Sequence, residues 1–155
     1  LDKEVIDMKP VRKAVRTFLF QGDKVMAIRY KNENQKGYLD IPGGKIEDGE
    51  TSEEAAVREF REETGITISD IKSVGRLVVE YPDRVFDFEL FVANSYQGEA
   101  GGFLENDSMW YLISDAICCK KIFPSVKLLD FLPLSNISLK FLCNVEHEVL
   151  SVSNL

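Results

Sequence analysis

The sequence predicts an α+β protein, an α/β/α sandwich in which helices cover a central mixed β-sheet. Three observations carry this prediction. Segments of apolar, β-branched residues bounded by turn residues outnumber segments of helical period. Neighbouring strand segments are mostly joined by turns short enough for hairpins. The helical pattern concentrates in one capped stretch after residue 50 and one apolar stretch after residue 124. Helices that few must lie on the faces of a sheet rather than form a bundle.

In order, residues 1–10 are a polar lead-in closed by Pro10, with the composition of a short edge strand. Residues 11–20 read as a strand, Gln21-Gly22-Asp23 as a turn, and residues 24–30 as the returning arm of a hairpin. Residues 31–37 (KNENQKG) form a polar loop, either a lip over a ligand or a plain connection. Residues 38–41 are a short strand running into Pro42-Gly43-Gly44, where missing side chains permit close backbone approach. A helix over residues 52–64 follows. Residues 71–80 and 84–96 are a strand pair around the turn Tyr81-Pro82-Asp83, the second alternating Val85, Asp87, Glu89 against Phe86, Phe88, Leu90. A glycine-rich acidic loop (97–108) leads to a strand over 109–113. Ser114 or Asp115 caps a short helix, and residues 125–132 form the last long helix. Pro133 marks a boundary. Residues 1–132 are expected to form the main unit and 133–155 an extension of it, built as an extra hairpin, a helix or the exchange arm of a homodimer, with the sole histidine, His147, inside it.

Composition narrows the function. The 155 residues carry 19 Lys and Arg against 26 Asp and Glu, a net charge of −7, which argues against general nucleic-acid binding. No apolar run approaches the 18 or so residues of a membrane span, and charges interrupt the N-terminal stretch where a signal peptide would need an apolar core. Cys118, Cys119 and Cys143 are odd in number and lack metal-site spacing. They read as reduced thiols, which places the chain in the cytoplasm.

The central stretch, residues 44–66, carries the chemistry. Thr51 and Glu54 form a capping box at the helix start, and Gly65 supplies a left-handed stop. At about 100° per residue, Glu59, Glu62 and Glu63 project from one face, while Ala56, Val57, Phe60 and Thr64 face the sheet. Like charges at about 5–6 Å between Cβ atoms repel. Either a hard divalent cation neutralises them, or the face is solvated and Arg58 and Arg61 damp the repulsion.

The whole segment, GKIEDGETSEEAAVREFREETGI, resembles the Nudix box, G-x5-E-x7-R-E-U-x-E-E-x-G-U, where U is bulky and aliphatic. Gly44, Glu50, Arg58, Glu59, Glu62, Glu63, Gly65 and Ile66 occupy its specified positions, and Phe60 stands at the first U. The resemblance covers residues 11–132 and implies a Nudix fold and Mg²⁺-dependent hydrolysis of a nucleoside diphosphate linked to another group, with Mn²⁺ as substitute. It implies Glu59, Glu62, Glu63 and the Gly43 carbonyl as metal ligands, and Arg58 as a brace on Glu50. Glu59 or Glu105 is implied as general base, with Glu99 a third candidate. Tyr81-Pro82-Asp83-Arg84, then Gln97-Gly98-Glu99 and Trp110, are similar to the MutT branch, whose members take nucleoside triphosphates to monophosphate and pyrophosphate, preferring oxidised guanine. By position Tyr81 would line a base pocket and Arg84 would bond base or phosphate, with Lys45, Arg29 and Lys31 as further phosphate contacts. Pro82-Asp83 alone is an ordinary turn, and Trp110 suits core packing. One departure bears on the base. After Phe123-Pro124 this chain has Ser125, Val126 and Lys127 where the branch carries an asparagine, and a lysine can only donate. ADP-ribose and dinucleoside polyphosphates are the alternative substrates, and a non-catalytic nucleotide sensor is the alternative class.

Overall fold

The structure, a computed structural model, describes residues 9–131, 139–145 and 149–154. Of the edge strand expected in residues 1–10, residues 1–8 lie outside the described residues, as does His147, and Lys9 and Pro10 are not in a strand. Among the described residues, nine strands form one mixed sheet: β1 (Val11–Gln21), β2 (Lys24–Tyr30), β3 (Leu39–Asp40), β4 (Gly43–Lys45), β5 (Thr67–Glu80), β6 (Val85–Gln97), β7 (Asn106–Leu112), β8 (Leu139–Asn144) and β9 (Val149–Asn154). Their order is β3-β2-β1-β6-β5-β8-β9, with β4 also paired to β1 and β7 to β2. The sheet is mixed because β1 runs parallel to β6 and β5 parallel to β8, the other ladders being antiparallel. Of the three forms open to the tail, it takes the hairpin: β8 and β9 pair with each other and continue the sheet beyond β5.

The long helix α1 (Ser52–Thr64) packs on one face. Its start is a complete capping box, Thr51 accepting from the Glu54 N–H while the Glu54 carboxylate accepts from the Thr51 N–H, and Gly65 ends it at φ +80°. Ala55, Ala56 and Phe60 bury against Val15, Leu19, Met26, Phe91 and Ala93 from the strands. The opposite face holds the larger core, where Phe18, Leu77, Phe88 and Leu90 meet Ala116 of α2 (Ile113–Cys118), Val126 of α3 (Pro124–Lys127) and Leu128 and Leu129 of a 3₁₀ turn (Leu128–Phe131). Trp110 is half-buried beside Tyr96, their ring centroids 5.6 Å apart, so packing accounts for it.

Three expectations are corrected. The helix expected over residues 125–132 is one α turn begun by Pro124 and one 3₁₀ turn. Pro124 pre-sets the first turn, but only two turns fit before Pro133. Ser114 and Asp115 lie inside α2, whose N-cap is Leu112 without a side-chain bond. Finally, β5 begins at Thr67, four residues early, because Asp70 adopts φ +51° and the ladder slips between Ser73 and Gly75, irregularities that hide the alternation.

Candidate active site

The site lies where β4 passes the second half of α1. Gly43 and Gly44 let β4 run close under β1. A Cβ on Gly43 would fall on the Val15 carbonyl oxygen, and one on Gly44 would fall 2.5 Å from Oε2 and 2.7 Å from Oε1 of Glu59. The absent side chain at Gly44 is therefore a cradle that the Glu59 carboxylate fills.

Arg58 organises the carboxylates. Its Nε and Nη2 donate to Oε2 and Oε1 of Glu50, at 2.7 and 2.9 Å, tying the acidic turn to the helix. Nη2 also reaches the Lys45 carbonyl at 3.0 Å, and Nη1 donates to Glu59 at 2.8 Å and Glu62 at 3.2 Å. The fork holds the Glu50 carboxyl down at about 2, chiefly through these hydrogen bonds. Glu63 turns inward, accepting from the Gly43 N–H at 2.7 Å. Burial pushes its carboxyl up to about 8, against the pull of Arg16 and of the Gly43 N–H. Burial also raises Glu59, opposed by Arg58.

The expected convergence of Glu59, Glu62 and Glu63 on an ion is therefore not the arrangement found. Among the described residues, no three acidic, histidine or cysteine side chains are set to hold a metal. The reason is local: Glu59 and Glu62 point to Arg58, and Glu63 to the Gly43 N–H. The donor chemistry nevertheless fits a hard divalent cation. The ligands are all oxygen, and burial leaves Glu59 and Glu63 short of the positive charge that their ionised forms need.

On the other face of the sheet, over Arg16 and Asp40, opens a cavity of about 770 Å³. Tyr38, Tyr81, Phe86, Phe88 and Phe123 supply aromatic walls, Asn32, Asn34 and Gln35 of the polar loop supply amides, and Arg84 and Glu105 supply charge. Tyr81, Arg84 and Glu105 are thus brought together. The Arg84 guanidinium lies 5.0 Å from the Tyr81 ring centre, and Lys9 pins Tyr81 by donating to its carbonyl at 3.1 Å. Lys45 lines a second, adjoining cavity.

Arg29 and Lys31 line neither cavity. Arg29 donates to the Gly37 carbonyl at 2.7 Å and the Tyr111 hydroxyl at 3.3 Å, because its place in the β2 ladder aims it at β7. Lys31 is held by the Phe103 carbonyl at 2.7 Å and Asp107 at 2.9 Å. Both brace loops. Glu99 lies outside the cavities too, its carbonyl against Gly65.

Sequence reasoning missed the polar floor. Arg16, 13% exposed, donates to the Ile41 carbonyl at 3.1 Å and pairs with Asp40 at 3.2 Å. Asp40, 2% exposed, also accepts from the Tyr30 hydroxyl at 3.0 Å, the Ile41 N–H at 2.8 Å and the Ser125 hydroxyl. Ser125, standing where an asparagine was expected nearby, locks the α3 turn to the floor. Burial works against the Arg16 charge, but Asp40 and Tyr30 more than offset it and raise its pKa. The signal was available: an arginine within the apolar run of β1 must be paired if it is buried.

A mixed sheet between helices, with a glycine loop feeding a glutamate helix braced by a loop glutamate, defines a Nudix domain, and the chain belongs to that family. The NUDIX domain model matches residues 10–114. An uncharacterised Nudix hydrolase of Bacillus subtilis is 30% identical over 114 residues, 70% of each protein. The 8-oxo-dGTP diphosphatase of Escherichia coli (strain K12) is 44% identical over 64 residues, 41% of this chain and 50% of that protein. The ADP-ribose pyrophosphatase of Methanocaldococcus jannaschii is 45% identical over 71 residues, 46% of this chain and 41% of that protein. The chain spans half to about two thirds of the curated 8-oxo-dGTP diphosphatases it matches. Among solved structures, a MutT protein from Bacillus halodurans superposes with a TM-score of 0.71 at 20% identity, covering 92% of this chain and 96% of that one. Nudix hydrolases generally use divalent metal ions. Among the described residues no helix is long and apolar enough to cross a membrane.

Proposed function

We propose that the protein is a pyrophosphohydrolase, dependent on Mg²⁺ with Mn²⁺ as substitute, that converts a nucleoside triphosphate and water to a nucleoside monophosphate and pyrophosphate. One observation carries this reading: the Arg58–Glu50 fork sets Glu59 against Gly44, and Gly44 lines a cavity that shares Arg16, Arg84, Phe86 and Phe88 with the aromatic-walled one. The relatives named as diphosphatases of 8-oxo-dGTP support the triphosphate.

Glu59, Glu62, Glu63 and the Gly43 carbonyl would hold the cation, which when bound neutralises the phosphate chain and acidifies water. The chain's own groups do the rest. The aromatic walls and loop amides seat the nucleoside, and Arg84 takes base or phosphate. A water oxygen attacks one phosphorus, the bridging P–O bond opposite it breaks, and the water proton passes to a carboxylate. Glu59, held against Gly44 and by Arg58, is the first candidate for that transfer. Glu105, at the cavity's open edge, is the second candidate. The Cys118, Cys119 and Cys143 thiols are free, in keeping with a cytoplasmic enzyme. Residues 1–132 would form the catalytic unit and 133–155 its extension.

A second reading, ADP-ribose hydrolysis, is favoured by the archaeal relative. A non-catalytic sensor is disfavoured, since every specified glutamate of the box is present. Incubation with nucleoside triphosphates, ADP-ribose and dinucleoside polyphosphates, with Mg²⁺ or Mn²⁺ and products identified by mass, tests the proposal. Monophosphate plus pyrophosphate supports it, and intact triphosphates beside cleaved ADP-ribose replace it with the second reading.

A further inference from the structure

We infer that the turn carrying Tyr81 and Arg84 is clamped from two sides, by Lys9 of the N-terminal lead-in and by the hairpin β8–β9, and that this clamp sets how tightly substrate binds. The inference rests on the proposed hydrolase reading and gives the C-terminal extension a positioning role in it.

Residues 81–84 are the tip of the long β5–β6 hairpin. Exposed loop tips are ordinarily the mobile part of a fold. This tip has to hold two long side chains in place, because Tyr81 and Arg84 both line the aromatic cavity. Within the turn, the Tyr81 N–H donates to the Arg84 carbonyl at 2.8 Å. The Arg84 guanidinium lies 5.0 Å from the Tyr81 ring centre and 5.5 Å from that of Phe86. These contacts order the tip internally but do not fix its place on the rest of the sheet.

The bonds that fix it come from outside the β5–β6 hairpin. On one side, the Lys9 ammonium donates to the Glu80 carboxylate at 3.0 Å and to the Tyr81 carbonyl at 3.1 Å, and the next residue, Pro10, accepts from the Val85 N–H at 3.0 Å. The Lys9 side chain is only 5% exposed. A lysine is rarely buried so deeply without paired acceptors, and both acceptors here lie at the base of the turn. On the other side, β8 runs parallel to β5, in register from Gly75 with Leu139 to Glu80 with Asn144. The Val145 N–H then closes the ladder on the Glu80 carbonyl at 3.0 Å. Buried Cys143 stands opposite Val79, which lines the aromatic cavity, so the hairpin also backs that wall.

Both arms lie outside residues 10–114, the span matched by the family model: Lys9 precedes it and β8–β9 follow it. None of the clamping bonds involves α1 or β4, which carry the carboxylates. Loosening the clamp therefore acts on the seat of the substrate and not on the groups around the reacting phosphorus, so it should raise KM and spare kcat.

The test compares wild type with Lys9→Met, Val145→Pro and the double variant in kinetics on a nucleoside triphosphate with Mg²⁺. Methionine keeps the length of the lysine without its donors, and proline removes the Val145 N–H. Each single variant should raise KM about fivefold with kcat within about twofold of wild type, the pattern of lost uniform binding. The double variant should raise KM by less than the product of the two, because releasing either arm already frees the turn. Lys9→Arg should recover much of the loss. Unchanged KM in either single variant, or a fall in kcat at constant KM, overturns the inference and leaves the hydrolase reading intact. Hydrogen exchange on wild type needs no variant to fold. An α,β-methylene nucleoside triphosphate should slow exchange in peptides covering 81–86 and 139–145 together, and protection absent from 139–145 overturns the inference. If wild type cleaves no nucleotide, the hydrolase reading fails, and the same exchange measurement decides the clamp by itself.

Discussion

Arg58 grips Glu50 with two parallel hydrogen bonds, of 2.7 and 2.9 Å, and spends its remaining N–H groups on Glu59, Glu62 and the Lys45 carbonyl. One guanidinium thereby sets the acidic turn, the glycine strand and the helix against each other. Arg58→Lys keeps the charge and loses the planar fork, so kcat should fall by about a hundredfold, the cost of displacing reacting groups by about 1 Å. Circular dichroism should show the helix retained.

The same pair predicts a pH effect. The Glu50 carboxyl is held at about 2 in the folded protein against an ordinary 4.5, chiefly by hydrogen bonds from Arg58. A depressed folded value stabilises the fold fully above the ordinary value and loses that stabilisation as pH falls toward 2. Melting temperature measured from pH 6 to pH 2 should therefore drop more steeply for wild type than for Glu50→Gln. Parallel curves would remove the fork from the stability argument.

Gly43 and Gly44 are neighbours with opposite expected phenotypes. A methyl on Gly43 meets the Val15 carbonyl, which is backbone in the β1–β4 ladder, whereas one on Gly44 meets the end of the Glu59 side chain. Gly43→Ala should lower the yield of folded protein or its melting temperature by several degrees. Gly44→Ala should stay folded, since a side-chain end can move, yet lose about a hundredfold in kcat through the displaced Glu59. Melting curves and turnover on both variants separate the two cases.

The sequence made α1 legible to the residue, because Thr51, Glu54 and Gly65 are local signals that need no tertiary context. The strands of the β1–β2 hairpin and β6 were legible for the same reason. What escaped depended on distant partners. Arg16 looked like one charge in an apolar strand until Asp40, Tyr30 and Ser125 surrounded it. Arg29 looked free to reach phosphate until β7 brought Tyr111 beside it. Helical period put the α1 glutamates near one another but did not show their separate partners, Arg58 for Glu59 and Glu62 and the Gly43 N–H for Glu63.

The buried Arg16–Asp40 pair carries its own prediction. Asp40→Ala leaves the guanidinium without its carboxylate, and Ser125 and Tyr30 without an acceptor. Breaking a buried ion pair from one side costs about 3–5 kcal/mol. Denaturant unfolding should show a loss of that order, with m unchanged. A loss under about 1 kcal/mol, the scale of an exposed pair, would show that water reaches the cavity floor.

Whether the glutamate helix takes a divalent cation can be read without any substrate. A ligand that binds only the folded state raises the melting temperature with its concentration, so wild type titrated with Mg²⁺ or Mn²⁺ should show a rising transition that excess chelator reverses. Glu62, with 58% of its side chain exposed, has Arg58 as its hydrogen-bond partner. Glu62→Gln should therefore leave the metal-free melting temperature within about a degree of wild type. The same variant should blunt the cation-induced shift and lower turnover by about a thousandfold. Undiminished turnover in Glu62→Gln, or in excess chelator, would return the acidic face to the solvated role that helical spacing alone allows.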